Sequence, residues 1–257
     1  MTKPSEDKSF WDHLDDLRGS LIRILIVTMV FAIVAFCLKK WLFALVLAPA
    51  DASFFMYRWL GGGMTTLHLM NTGLTEQFVI HMKTAFAFGL LMASPYIIKV
   101  LFDFIRPALY ENERRISVRL TASAYIMFLI GVVLNYLVIF PVTVRFLGNY
   151  QVSAQVDNML TLQSYTGTLL MMSIVFGIIF EIPVISWLLA RAGLLHASYM
   201  TRYRRHAIVT ILIIAAIITP TGDAFTLLIV SLPIWLLYEL SVLIVSHVEK
   251  RNQQQSQ

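Results

Sequence analysis

Long apolar runs alternate with short polar segments along the whole chain. A helix needs about 20 apolar residues to cross a bilayer core about 30 Å thick, and most of the runs reach that length. The pattern therefore predicts an all-α, polytopic membrane protein with six transmembrane helices. The predicted spans cover about residues 21–46, 75–102, 117–140, 164–190, 207–219 and 224–246.

The fifth run is the shortest of the six. Only residues 207–219 are apolar before Pro220, which is 13 residues. Such a helix rises about 20 Å, less than the thickness of the bilayer core. A short span is accommodated by local thinning of the membrane, so we expect a thin bilayer around this part of the protein.

Both ends of the chain are polar. Residues 1–23 are amphipathic, with leucines such as Leu14 and Leu17 at helical spacing, and predict a cytoplasmic interfacial helix. Residues 249–257 are polar and predict a disordered cytoplasmic tail. Residues 24–248 between them form the predicted six-span membrane domain.

Basic residues are distributed unevenly between the two sides of the predicted membrane domain. Residues 1–23, 99–119, 191–205 and the tail hold four, five, four and two of the 20 lysines and arginines. All four segments lie on one side when six spans are drawn. Since cytoplasmic segments carry an excess of Lys and Arg, both termini are predicted to be cytoplasmic.

Composition excludes an ordinary soluble protein. Hydrophobic residues make up 58% of the chain and charged residues only 14%. A typical soluble domain is about 25% charged. The net charge of +5 is explained by membrane orientation, because no basic block carries the interleaved aromatic residues of a nucleic-acid platform. We expect no nucleic-acid partner.

Motifs of enzymes and metal sites are missing from the sequence. Neither G-x-S-x-G nor H-E-x-x-H occurs, and the histidines show no metal-ligand spacing on a shared helix face. Cys37 is the only cysteine, which excludes an internal disulfide and a cysteine-based metal site. The sequence therefore predicts no enzyme activity, no catalytic residue, no metal and no cofactor.

Two glutamates lie inside predicted spans. Glu181 precedes Arg191 by ten residues, which is roughly 15 Å of helix, and Glu239 lies at a comparable distance from His247. A carboxylate at that depth is costly and is expected to face protein, water or a partner. The two acids could form an interhelical hydrogen bond, or they could carry protons or ions in a secondary transporter.

The polar stretch Phe104–Arg115 joins spans two and three. Pro107 favours a tight turn there, with Glu113 at the membrane edge. An ordinary positive-inside loop would need only basic residues, whereas this stretch mixes both signs of charge. At the opposite side, Asp223 lies in the short turn between spans five and six, where it could cap a helix or dock a partner.

Four segments together resemble the TatC family, the multispanning receptor subunit of the twin-arginine protein translocase. They stand in the same order and the same topological places as in the family, and the resemblance covers about Phe10 to Glu249. The segments are His13–Arg18, Phe104–Arg115, Phe176–Pro183 and Thr219–Asp223.

The resemblance implies a fold, a function and partners. The fold would be a cupped six-helix bundle with both termini cytoplasmic (N-in/C-in) and with short helices five and six. The function would be binding of the twin-arginine signal peptides of folded cargo, in a complex with TatA-type and TatB-type single-span subunits. Export would use the proton-motive force across the bacterial cytoplasmic (inner) membrane, in a lipid bilayer, and the subunit would self-associate in a larger complex.

The resemblance also implies roles for individual residues. Relatives usually have Glu where Asp16 stands, so the reach of this acid is one methylene shorter, and Asp15 beside it is a further candidate. Glu181 matches the family's intramembrane glutamate, and Glu239 is a second intramembrane candidate. The predicted signal-peptide site comprises Asp16, Glu113, Asp15, Arg18, Phe104 and Pro107, and the predicted partner-docking site comprises Asp223 and Thr226.

Carboxylates suit the recognition of paired arginines, because a carboxylate accepts two charge-assisted hydrogen bonds from one guanidinium. The alternatives are a proton- or ion-coupled secondary transporter using Glu181 and Glu239, an intramembrane enzyme, and a structural scaffold. A transporter usually shows internal repeats, and we find no clear repeat between the two halves.

Cysteine labelling tests the predicted orientation. With Cys37 replaced by alanine, single cysteines within 47–74 should react with an impermeant maleimide added to the outside of cells. Single cysteines within 191–206 should react only after the membrane is opened, because the basic asymmetry predicts that this segment is cytoplasmic. Equal reactivity of both segments from outside would contradict the orientation.

Overall fold

The fold is helical, apart from two strands of two residues each, in the part of the chain that the structure describes. The structure, a computed structural model, describes residues 10–59, 67–105, 114–150, 153, 159–219 and 223–255. The α-helices are α1 (Phe10–Cys37), α2 (Lys39–Leu47), α3 (Phe55–Trp59), α4 (Glu76–Ile105), α5 (Arg114–Leu134), α6 (Phe140–Asn149), α7 (Leu162–Ile179), α8 (Ile182–Arg191), α9 (Ala197–Arg202), α10 (Arg204–Ile218) and α11 (Ala224–Gln255).

Five helical segments in the described ranges are long and apolar enough to cross a membrane, and they match five of the six predicted spans. The fifth predicted span corresponds to α10, which has only 15 residues. It rises about 22 Å, so its predicted shortness is confirmed, while thinning of the bilayer stays a prediction. The five long spans are Leu17–Cys37, Glu76–Phe102, Leu120–Asn149, Leu162–Arg191 and Ala224–Arg251.

The first span differs from its predicted bounds at both ends. No proline interrupts residues 10–37, so the polar start and the apolar span form one helix, with no break at residue 23. That helix ends at Cys37, and α2 begins at Lys39, so the predicted continuous span to residue 46 is wrong. The interfacial placement of residues 1–23 stays a prediction.

Pro141 does not end the third span, although the sequence predicted that it would. Residues 135–139 form a π-helical turn, in which the N–H of Phe140 donates to the carbonyl of Asn135. Pro141 then occupies the first turn of α6, where a missing N–H is tolerated. The helical path therefore continues to Asn149, into the segment predicted as a loop.

The fourth span is interrupted at its middle. Helix α7 ends at Ile179 and α8 begins at Ile182, so Glu181 lies at the interruption. Pro183 follows in the first turn of α8, where it needs no N–H partner. The N–H of Glu181 donates to the carbonyl of Ile178 at 3.0 Å, which keeps the backbone hydrogen-bonded through the turn.

The last helix corrects two predictions. Helix α11 has 32 residues, so the sixth span is not short. It also continues to Gln255, so most of the tail 249–257, which was predicted to be disordered, is helical. The physical reason is that Glu, Lys, Arg and Gln are favourable helix formers and extend a helix that the membrane span has already nucleated.

Two long connections meet at the face opposite to the start of α1. Strand β1 (Leu69–Met70) pairs in parallel with β2 (Leu160–Thr161), in a register that joins residue 69 to residue 160. Sequence patterns predicted only loops here. Pairing across 91 residues depends on tertiary contacts that local propensity does not contain.

Three tyrosine hydroxyls secure the end of α2 at the same face. Tyr136 and Tyr165 donate to backbone carbonyls in the last turn of α2, at 2.7 and 3.1 Å. Tyr57 donates at 2.6 Å to a carbonyl in the 3₁₀ turn that follows. The N–H of Ala48 also donates to the carbonyl of Leu45, so the Tyr136 hydroxyl is a second donor there. The three hydroxyls hold the end of α2 against the segments that carry the tyrosines.

The spans pack in neighbouring pairs, with α1 against α4, α5 against α7, and α11 against both α8 and α10. Glycines allow the closest approaches. A Cβ added at Gly89 would lie 2.6 Å from the backbone nitrogen of Ala32, and one added at Gly131 would lie 2.5 Å from the carbonyl oxygen of Phe176. Small residues in membrane helices allow backbones to approach in this way.

Gly89→Ala should lower the stability of the protein by about 1–3 kcal/mol, because the new methyl group pushes α1 away from α4. Gly167→Ala is the matched control, since a Cβ at Gly167 meets nothing within 4 Å. Alanine favours a helix, so this control should keep or raise the melting temperature. Thermal unfolding in detergent measures both variants, and equal melting temperatures would contradict the close-packing account.

Candidate functional site

The predicted signal-peptide site lies largely outside the described residues. Asp15 and Arg18 are described, and both side chains are exposed on the second and third turns of α1. Outside the description lie the side chains of Asp16 and Phe104 and the whole of Pro107 and Glu113. The roles of these six residues stay predictions.

The register of α1 against α4 nevertheless locates the backbone of residue 16. The ring of Phe36 stacks on His81 at 4.1 Å between centroids, and Ala32 lies against Gly89. The two helices are therefore antiparallel. Because both rise about 1.5 Å per residue, residue 16 lies level with the last turn of α4, which ends at Ile105.

The carboxyl group of Glu181 has no hydrogen-bond partner in the part of the chain that the structure describes. Both carboxyl oxygens are buried, and neither has a hydrogen-bond partner among the described residues. A buried polar group that lacks a partner is costly, and more so when it is charged. The interruption between α7 and α8 places this acid inside a span, as predicted, with no cation recorded beside it in the described part of the chain.

Glu239 has a different environment from the one predicted. Its Oε2 accepts a hydrogen bond from Arg204 Nη2 at 2.7 Å, and the two side chains form a salt bridge. Arg204 is the first residue of α10, so Glu239 lies level with the start of that helix. Glu239 also lies near the middle of the segment Ala224–Arg251, which is long and apolar enough to span a membrane. Its partner is Arg204 and not Glu181, and its functional role inside the membrane stays a prediction.

Two further contacts join the same elements. The hydroxyl of Tyr238 donates to the carbonyl of Met200 at 2.7 Å, and Glu249 Oε2 accepts from the N–H of Ala197 at 3.3 Å. Together with the salt bridge at Glu239, they hold α9 and the start of α10 against α11. Sequence reasoning missed this set of contacts, although opposite charges at Arg204 and Glu239 were a signal.

Asp223 caps the last helix, which was one of its two predicted roles. Its Oδ1 accepts a hydrogen bond from the N–H of Thr226 at 2.7 Å, and this satisfies one free donor of the first turn. Thr226 itself is 0% exposed. Its side chain is buried within this chain, and its predicted docking role stays a prediction. Docking by Asp223 stays a prediction.

The described ranges contain no group of three His, Cys, Asp or Glu side chains that could hold a metal ion. What the structure does define is a class of protein. It is a polytopic helical membrane protein with an acid at a broken fourth span and a short fifth span fastened to the sixth.

Comparisons with known proteins agree with this class. The family model described as Sec-independent protein translocase protein (TatC) matches residues 12–233. A TatC from Deinococcus radiodurans is 34% identical over 236 residues, covering 91% of this chain and 84% of the relative. TatCy from Bacillus subtilis is 30% identical over 248 residues, covering 96% and 92%.

A solved structure has the same fold. The crystal structure of the twin-arginine translocase receptor TatC superimposes with a TM-score of 0.78 and 29% identity, covering 92% of this chain and 99% of that chain. The chain belongs to the TatC family of Sec-independent protein translocase proteins. The predicted family and the predicted class of fold are confirmed, and the alternative of a secondary transporter gains no support.

Proposed function

We propose that this protein is the receptor subunit of a twin-arginine translocase in the bacterial cytoplasmic (inner) membrane. It binds twin-arginine signal peptides of folded cargo and assembles with TatA-type and TatB-type single-span subunits, and with further copies of itself, for export driven by the proton-motive force. The observation that carries the proposal is the likeness over 92% of the chain to a structure named as the twin-arginine translocase receptor.

The proposed peptide site combines two segments that are distant in sequence. Residue 16 lies level with the end of α4, and Glu113 directly precedes α5 at Arg114. We propose that both acids lie at the membrane face where α1 begins. Their carboxylates can accept the planar fork of an arginine from two sides, which a lysine cannot offer.

The other members of the site support this recognition. Asp15 adds a third acid, and Arg18 follows on the same exposed segment of α1. We propose that the apolar side chains of Phe104 and Pro107 contact the hydrophobic part of the peptide. A loop with basic residues alone would repel the paired arginines, so acids are the essential part of the proposal.

Glu181 has a separate proposed role inside the membrane. Its oxygens are buried without a partner among the described residues, so the site keeps an unmet capacity for a hydrogen bond. We propose that this capacity is used during transport or assembly, when a polar group of a partner, a peptide or water reaches the broken span. Such use explains why an unpaired acid is kept at a costly position.

The turn before α11 is the proposed docking place for a single-span subunit. Asp223 caps the helix there, and the apolar side chains of Phe225 and Leu228 are 44% and 62% exposed. An apolar helix of a partner subunit can pack on these side chains. Thr226 supports the site from inside only.

Peptide binding tests the proposed function. Glu113→Ala and Asp16→Ala should each weaken binding of a twin-arginine signal peptide by roughly one to two orders of magnitude, because a charge-assisted hydrogen bond contributes about 1.5–3 kcal/mol. A twin-lysine peptide should bind wild type more weakly. Asp51→Ala is the control, since Asp51 is an exposed acid in another part of the chain. Affinities are measured in nanodiscs, and unchanged affinity in both mutants would exclude this site.

Export assays test the role of Glu181. Glu181→Gln should keep the amount and melting temperature of the protein but impair export of a folded reporter, because the shape is kept and the ionisable group is lost. Asp51→Asn is the control and should export normally, since Asp51 is an exposed acid outside the spans. Normal export by Glu181→Ala would show that the acid is dispensable.

A further inference from the structure

A cavity of about 540 Å³ lies between α5, α8 and α11. Every residue that lines it belongs to a segment able to span the membrane. The cavity is therefore at the depth where lipid is the solvent. Its lining residues are Leu120, Ser123, Met127, Pro183, Val184, Trp187, Arg191, Leu240 and Ile244.

The cavity has one cationic end and otherwise apolar walls. The hydroxyl of Ser123 donates to the carbonyl of Leu120 at 2.9 Å, so its proton is already used within α5. Arg191 is the last residue of α8, and its guanidinium lies 5.4 Å from the centre of the Trp187 ring. A tryptophan beside an arginine at the end of a span is typical of the level of lipid headgroups.

The two ends of the cavity are separated by the length of α8. Pro183 precedes Arg191 by eight residues, so the apolar part extends about 12 Å from the cationic end into the membrane. A slot of this kind matches a lipid in orientation, with a charged head at the end of the span and a hydrocarbon chain below it.

We propose that this cavity binds one anionic phospholipid, with an acyl chain against Val184 and Met127 and the phosphate at Arg191. The guanidinium carries five N–H donors and suits a phosphate bidentately. Basic pockets between spans bind anionic headgroups in this way. Charge also decides against the signal peptide as occupant, because Arg191 attracts a phosphate and repels paired arginines.

Fluorescence quenching tests the proposal, since Trp187 lines the cavity. A variant that keeps only this one of the five tryptophans is reconstituted into vesicles of phosphatidylcholine with rising fractions of brominated phosphatidylglycerol or brominated phosphatidylcholine. Brominated phosphatidylglycerol should reach half-maximal quenching at a lower fraction, with about a fivefold preference for one basic contact. A variant that keeps only Trp235, which is 42% exposed on α11, should show no preference.

Matched variants separate the site from general surface attraction. Arg191→Gln should remove the preference, whereas Arg205→Gln, which changes an exposed arginine that does not line the cavity, should keep it. Ser123→Phe should reduce quenching by both lipids because the ring fills the cavity. Equal quenching of Trp187 by the two lipids, an equal loss of preference in both arginine variants, or no quenching at all would overturn the proposal.

Discussion

Inside a bilayer, every backbone N–H and carbonyl must find its partner within the protein, and this constraint governs the whole structure. The chain interrupts its helices at Leu38, at residues 135–139 and at residues 180–181. Backbone hydrogen bonds are found at each of these interruptions. The N–H of Leu38 donates to Val34 at 3.1 Å, the N–H of Phe140 donates to Asn135 in the π turn, and the N–H of Glu181 donates to Ile178 at 3.0 Å.

A helix interruption whose backbone groups stay hydrogen-bonded can place a polar side chain inside an apolar span. The turn at Glu181 carries a carboxyl group whose oxygens lack partners among the described residues, while the N–H groups of Phe180 and Glu181 are hydrogen-bonded. The buried polar atoms that lack a hydrogen-bond partner at this turn are therefore the two carboxyl oxygens of one side chain. The carboxylate of Glu239, in contrast, has a partner, because it forms a salt bridge with Arg204 at the start of α10.

Hydropathy predicted the five long apolar segments found in the described ranges, the shortness of the fifth predicted span and the approximate bounds of the second, because these follow from length and composition. Hydropathy did not predict that the helical path continues past Pro141, or that the first helix is interrupted at Leu38. The effect of a residue on a helix depends on the hydrogen bonds of the turn before it, which hydropathy does not describe. The salt bridge of Glu239 was not predicted because Arg204 lies 35 residues away in the sequence. The residues of the peptide site were predicted from a resemblance to a family. The structure adds the register of α1 against α4, which locates residue 16.

The contacts between the start of α10 and α11 have a mechanical consequence. The salt bridge at Glu239 holds the first residue of α10 against α11, and the Tyr238 hydroxyl and the Glu249 carboxylate hold α9, which directly precedes it. Only five residues, 219–223, separate the end of α10 from the start of α11 in the sequence. The salt bridge and the two hydrogen bonds oppose separation of the two spans, so we expect the fifth span to follow the sixth when either is displaced.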